Sequence, residues 1–309
     1  MRILIGTMFS GENEFEECLA AIRRQEYSEW EHFTVENLPN QAAHDKLYRT
    51  FMERAGEFDL FMKVDADMVL EHPDVLARIA AWFGQHPRVD CLSIKVFDWF
   101  TQQHIDGMHT FSHRVTWPPR DDPVFTDNAP NMKIRVADDR LFLGAVSHAK
   151  NPTPLHAFRF GVHKAWKARA AFRSGGQDRR RYRWLHLKNI ARLWRHQRRN
   201  KDDRLVWSCL GVELMLAEHW PLDAFDYNGD LVRGEFQVRS RGSTSERLAL
   251  ARSLKFSNRW KRAWWLRGVL SAAELAIWRG WQSMDLRVRW LGRRVKHRLQ
   301  RVLPVSPRT

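Results

Sequence analysis

Four short apolar, β-rich runs, separated by stretches of helical spacing, occupy the first hundred residues and leave few folds open. Arg2–Thr7 (RILIGT) predicts a buried strand that ends at Ser10-Gly11. Over Glu14–Arg24, Phe15, Leu19 and Ile22 share one helical face. Phe33–Glu36 predicts a second strand, and Ala42–Ala55 a helix carried by Leu47, Phe51 and Ala55. Asp59–Val64 (DLFMKV) predicts a third strand, running straight into Asp65-Ala66-Asp67. Pro73 suits a first helical turn before Val75–Phe83, and Cys91–Phe97 predicts a fourth strand. Such alternation is that of an α/β fold: a mostly parallel sheet with helices on both faces. Residues 100–147 hold Pro118, Pro119, Pro123 and Pro130, and predict loops with short strands, Leu141–Val146 being a last strand.

From about Pro154 the texture changes to Arg, Lys and Trp at helical spacing. Asp178–Arg199 aligns Trp184, Leu187, Ala191 and Trp194; Leu205–His219 is an apolar helix; Ser257–Leu303 is helical again. We therefore expect a catalytic domain at 1–165 and a basic, Trp-rich helical C-terminal extension at 166–309. Charge divides the same way. Residues 1–150 carry 16 Lys+Arg against 24 Asp+Glu, a net −8, and the remaining residues carry 35 against 12, a net +23. The basic part should seek phosphates, anionic lipid or nucleic acid, whereas the acidic part would repel a diphosphate unless a cation intervenes. Cys18, Cys91 and Cys209 are far apart, which excludes a disulfide framework and fits a reducing cytoplasm. The opening MRILIGTMFSGENEF does not read as a signal peptide, and there is no apolar run of membrane-spanning length.

Asp65-Ala66-Asp67 is the strongest chemical signal. Open α/β sheets bind ligands beyond the carboxyl ends of their strands. Two carboxylates there can hold a hard divalent cation, Mn2+ or Mg2+, that bridges diphosphate oxygens. The bland alternative is a solvated turn after a strand.

The stretch FEECLAAIRRQEY (Phe15–Tyr27), then a strand, a helix and DLFMKVDADMVLEHPDVL, resembles the opening of family 2-type glycosyltransferases over about residues 1–100. Leu155–Lys164 (LHAFRFGVHK) resembles a segment of some bacterial cell-surface glycosyltransferases. The resemblance implies a GT-A-like fold, a nucleotide-sugar donor and a glycan or lipid-linked acceptor. It places Thr7 to Glu14 beside the nucleotide, with Glu12 and Glu14 competing for base or ribose, and Glu36-Asn37 lining the same pocket. It makes Asp65 and Asp67 the metal and diphosphate pair. It also implies a distant histidine ligand, His148 first and His156 second, since an imidazole can complete an oxygen-rich shell; a structural hydrogen-bonding role is the alternative for each.

The chain departs from the family in lacking a clear ED base motif. An inverting transfer needs a carboxylate to deprotonate the acceptor. Asp98, at the end of the fourth strand, and Asp127, in the next loop, are the candidates, and each also reads as a plain loop acid. Arg159, His163 and Lys164 could stabilise a departing diphosphate, or be solvated basics at a helix start. Glu213, in an apolar helix, calls for a buried partner such as an arginine.

Two other functions compete. A nucleotidyltransferase would carry a basic glycine-rich loop early in the chain, and Gly6–Gly11 has neither Lys nor Arg. A nucleic-acid-binding protein would suit a pI near 10.3 and 15 tryptophans, but no binding module is recognisable and the acidic half is left unexplained. Finally, Trp281, Met284, Val288, Leu291, Val295, Leu299 and Val302 form an apolar stripe flanked by arginines. The stripe fits a helix at an anionic membrane interface, which would make the protein peripheral at the inner face of the cell membrane, or one packed on the catalytic domain or on a second copy in an oligomer.

Overall fold

A computed structural model describes residues 1–118, 130–138, 140–173, 177–223 and 225–257. Asp127 and the apolar stripe over 281–302 lie outside these described residues. Among the described residues, eight strands form one mixed sheet: β1 (Ile3–Phe9), β2 (Trp30–Glu36), β3 (Leu60–Asp65), β4 (Met68–Leu70), β5 (Cys91–Asp98), β6 (Gln103–Ser112), β7 (Arg135–Asp138) and β8 (Val146–His148). Their order is β2-β1-β3-β6-β5-β8-β4, with β7 also paired to β5. The β2-β1-β3 pairs are parallel, as are β5-β7 and β5-β8. β6 runs antiparallel to both β3 and β5, and β4 antiparallel to β8.

The period-2 pattern of β1 explains the layering. Ile3 and Ile5 join a core with Cys18, Ala21 and Ile22 of α1 (Phe15–Arg23) and with Leu76, Ile79 and Phe83 of α3 (Val75–Gln85). Leu4, on the other side, meets Leu47, Tyr48 and Phe51 of α2 (Asn40–Glu53). Helices thus cover both faces of the sheet.

β6 is a ten-residue strand in the stretch where the sequence predicts only short ones. Its periodicity slips: Ile105 and Met108, three apart, are both buried. Between them, the register with β5 shifts so that Asp106 and Met108 pair while Gly107 bulges. A Cβ on Gly107 would come within 2.5 Å of Val96, so only glycine fits that bulge. The expected strand Leu141–Val146 is replaced by turns, and strand pairing covers only Val146–His148.

The second core is helical. It joins α4 (Pro154–Arg173), α5 (Gln177–Arg199), α6 (Asp203–Leu216), α7 (Asp230–Ser240) and α8 (Thr244–Ser257) around Phe158, Trp166, Trp194, Trp207 and Leu210. The expected domain boundary, 165/166, falls inside α4. α4 and α6 cross at two glycines: a Cβ on Gly161 would lie 1.9 Å from the Ser208 carbonyl oxygen, and one on Gly211 2.3 Å from that of Phe158. Buried charges here are held by structure. Arg169 Nη1 donates to the carbonyls of Met215 (2.9 Å) and Trp220 (3.0 Å). Glu213 Oε1 accepts from the Trp194 indole at 3.0 Å, and Lys255 lies 3.9 Å above that ring's centre. Cys18, Cys91 and Cys209 are free and buried. Among the described residues, no helix is long and apolar enough to cross a membrane.

Candidate functional site

Asp65 closes β3, and Ala66-Asp67 form the turn into β4. The two carboxylates face different partners. Asp65 Oδ1 pairs with Lys63 Nζ at 2.9 Å, which follows from their shared face two residues apart on a strand. Burial favours a neutral Asp65, but Lys63 overcomes it and holds the carboxyl below its usual range. Asp67 points toward His148, with Nε2 3.4 Å from its Oδ2. Asp67 Oδ1 is buried and has no hydrogen-bond partner. Burial pushes Asp67 up to about 7 against the pull of His148, and Asp65, Glu12 and Glu14 add to the rise.

His148 is fixed by the sheet. It pairs with Met68 of β4 and with Asp98 of β5, and the Ala149 N–H donates to the Asp67 carbonyl at 2.8 Å. Its Nδ1–H donates to Asp98 Oδ1 at 2.8 Å. Burial alone would favour the neutral ring, but Asp67 and Asp98 overcome it and raise His148 to about 9. Asp98 is fully buried, and its Oδ2 accepts from the Thr101 N–H (2.8 Å) and hydroxyl (2.5 Å). Both carboxylate oxygens of Asp98 are hydrogen-bonded and the residue has no exposed surface, so an acceptor hydroxyl has no approach to it in this arrangement. That geometry corrects the expectation of Asp98 as acceptor base.

α4 starts directly behind β8 and supplies positive charge. Phe160 stacks on Phe100 at 3.9 Å, with its ring centre 6.2 Å from that of His148. One turn on, Lys164 Nζ lies 4.8 Å from the Phe160 ring centre. Burial lowers the Lys164 pKa, and Asp98, Asp67 and Asp65 oppose that shift, so the ammonium lies within their field.

The remaining expected residues fall into two groups. Glu12 accepts from the Ser10 N–H and hydroxyl, each at 2.6 Å. Glu14 is buried, accepts from the Asn151 N–H at 2.6 Å, and has its pKa raised by burial. His156 bonds Thr153 at 2.9 Å and feels Glu12, but the structure does not bring it to Asp67 as it brings His148. Buried Arg159 donates to the Asn228 carbonyl at 2.9 Å and also lies in the field of Glu12. Thr7 is wholly buried in β1 against His32, 3.0 Å away, rather than open to a nucleotide. Glu36 and Asn37 are exposed at the end of β2. With Phe9 beside Glu36 and Met8 beside Asp65, they share the carboxyl edge of the parallel strands.

Sequence reasoning missed Lys63, Thr101 and the loop Asp226–Asn228. Strand alternation alone could have exposed Lys63. The loop reaches the first half of the chain through the Asn40 N–H, which donates to Asp226 at 3.3 Å, and it packs on α4, where Tyr227 stacks on His163 at 4.1 Å.

Among the described residues, no three His, Cys, Asp or Glu side chains converge to hold a metal ion by themselves. Asp67 and His148 still suit a cation that completes its shell with substrate oxygens and water, the usual habit of Mg2+. The partnerless Asp67 oxygen is the feature such a cation would satisfy.

No protein-family model matches the chain, and no characterised protein matches its sequence. Among solved structures, it is similar to the mannosyltransferase PcManGT from Pyrobaculum calidifontis, in complex with GDP-Man and Mn2+, at 13% identity and a TM-score of 0.41, over 87% of this chain and 86% of that one. It is also similar to A197 from STIV, at 13% identity and a TM-score of 0.29, over 36% of this chain and 65% of that one. Neither is a likeness from which fold or activity follows.

Proposed function

We propose that the chain is a divalent-cation-dependent glycosyltransferase with a GT-A-like catalytic part, moving a sugar from a nucleoside diphosphate donor to a hydroxyl of a glycan or lipid-linked acceptor. One observation carries the reading. A buried, partnerless carboxylate oxygen on Asp67 sits at the carboxyl edge of the sheet, with His148 facing the same carboxylate and Lys164 within its field. An acid left so short of partners in a structural role would be costly, and a cation is its natural complement.

Asp67, Asp65 and His148 would hold Mn2+ or Mg2+, which would neutralise the donor diphosphate and stabilise the leaving group. Asp65 would exchange part of its contact with Lys63 for that role. Lys164, and Arg159 from the same helix, would add positive charge where the diphosphate departs. Glu12, Glu14, Glu36 and Asn37 would bound the nucleotide along the carboxyl edge, with Thr7 supporting β1 from beneath. The acceptor base is left to Asp127. The acceptor class and an anionic membrane as docking surface for 257–309 belong to the same reading. Co-sedimentation with anionic vesicles should fall on removing that segment and on adding salt; vesicles ignored at low salt would discard the membrane.

The test of activity is a donor screen. Purified protein with Mn2+ is incubated with a panel of nucleotide sugars, and released nucleoside diphosphate is measured. At least one donor should be turned over in wild type and none in Asp67→Ala. Turnover unchanged by that substitution would overturn the reading.

A further inference from the structure

Asp98 has no exposed surface and cannot meet a substrate, yet it is tied into the cluster more tightly than any other acid there. Its Oδ1 accepts from His148 Nδ1–H at 2.8 Å, and its Oδ2 is filled by the Thr101 N–H and hydroxyl. The opposite nitrogen of the same ring, Nε2, lies 3.4 Å from Asp67 Oδ2. Asp98, His148 and Asp67 therefore form one line across β5, β8 and the β3–β4 turn. A neutral imidazole has one lone pair. If Nε2 is to offer it to a cation at Asp67, the ring proton must sit on Nδ1, where a carboxylate can receive it.

We propose that Asp98 is a positioning residue: it holds His148 in the Nδ1–H form and aims Nε2 at the cation site on Asp67, while Thr101 holds Asp98. The proposal rests on the cation-dependent reading above and deepens it. It also accounts for an acid buried at the end of β5, where a base would have to be open. A carboxylate suits the site because it can accept from all three groups around it, the Thr101 N–H, the Thr101 hydroxyl and the His148 Nδ1–H. An amide in its place would keep its oxygen on the Thr101 N–H and turn its NH2 toward Nδ1. That would move the ring proton to Nε2 and remove the lone pair from the side facing Asp67.

The experiment uses full-length protein with Mn2+ and an equimolar mixture of UDP, GDP, CDP and ADP. Calorimetry reads affinity, and pulsed electron paramagnetic resonance reads nitrogen hyperfine coupling from an imidazole ligand. Wild type should show the coupling, and His148→Ala should lose it. Asp98→Asn should keep the wild-type circular dichroism, lose the coupling and bind Mn2+ about 10- to 100-fold more weakly. Thr101→Val removes only the hydroxyl and should weaken binding less, by about fivefold; it carries the test if Asp98→Asn does not fold. Manganese bound with coupling and affinity unchanged in Asp98→Asn and Thr101→Val would overturn the assignment of Asp98 alone. Manganese bound in wild type without nitrogen coupling would also overturn it. No manganese binding in wild type would overturn the activity reading, and this assignment with it.

Discussion

Buried charge occurs in both halves of the molecule, and the two halves treat it differently. In the helical half, Arg169 caps the Met215 and Trp220 carbonyls and Glu213 accepts from the Trp194 indole. Through these bonds Arg169 closes a gap left by a helix end and Glu213 one left by a core aromatic. At the carboxyl edge of the sheet, Asp65, Asp67 and Asp98 crowd around His148 and Lys164, and one Asp67 oxygen remains without a partner. A buried charge is thus no sign of function in itself. Buried atoms without a hydrogen bond occur in both halves, Arg247 Nε and Ser208 Oγ among them. The informative feature is therefore the convergence of several acids on one histidine at the strand ends, where one of those acids also keeps an oxygen without a partner.

Substitution should separate the two kinds. The largest effect on stability is expected in the helical half. Arg169→Ala strands two buried carbonyls and should cost about 3 kcal/mol in urea unfolding. Asp67→Ala should leave cation-free stability unchanged or raise it, because a desolvated acid is removed. A large loss of stability in Asp67→Ala would erase the contrast.

Next in size is the α4–α6 crossing. Gly161→Ala places a methyl against the Ser208 carbonyl and should cost about 1–3 kcal/mol. Donor binding per folded molecule should stay at the wild-type level; a selective loss of binding would join the crossing to the site.

The pH dependence sharpens the comparison from the other side. Asp67, raised to about 7, and His148, raised to about 9, both carry protons that a cation must displace. Cation affinity should therefore rise with pH through about 7 and on toward 9, and fall by about tenfold or more per unit on the acid side of 7. The same shifts act on cation-free stability. A group whose folded pKa is raised contributes stability below its unfolded pKa and loses it as pH rises through the folded value. Wild type should thus lose stability relative to Asp67→Ala between about pH 4 and 7. A flat affinity profile from pH 6 to 9 would contradict the proposed ligands.

The smallest effect belongs to surface pairs. Arg2→Ala, which breaks the exposed 2.9 Å pair with Glu31, should cost under about 1 kcal/mol by the same unfolding assay. A larger cost would give surface charge a weight the comparison denies it.

Much of this was legible in the sequence where one periodicity dominates. The first seven elements, from β1 to β5 apart from the three-residue β4, follow from period-2 and period-3.6 patterns over 1–98, and Asp65-Ala66-Asp67 stands at the strand end as read. β6 was hidden because the Gly107 bulge breaks its alternation. β8 was displaced because Leu141 and Leu143, apolar enough for a strand, are exposed in turns. At the site, His148 could be picked out by its place after an apolar run. The occupation of Asp98 by His148 and Thr101 could not, since it depends on β8 pairing with β5 fifty residues away in the chain.

The central claim is that the carboxyl edge binds a nucleoside diphosphate only through a cation held at Asp67. Calorimetry tests it most directly, by titrating the UDP, GDP, CDP and ADP mixture into wild type and Asp67→Ala, each with Mn2+ and with a chelator. Binding in wild type that disappears with the chelator, and is absent in Asp67→Ala whether or not Mn2+ is present, is the predicted result. Equal binding by the two proteins, or binding in wild type that ignores the chelator, would contradict it.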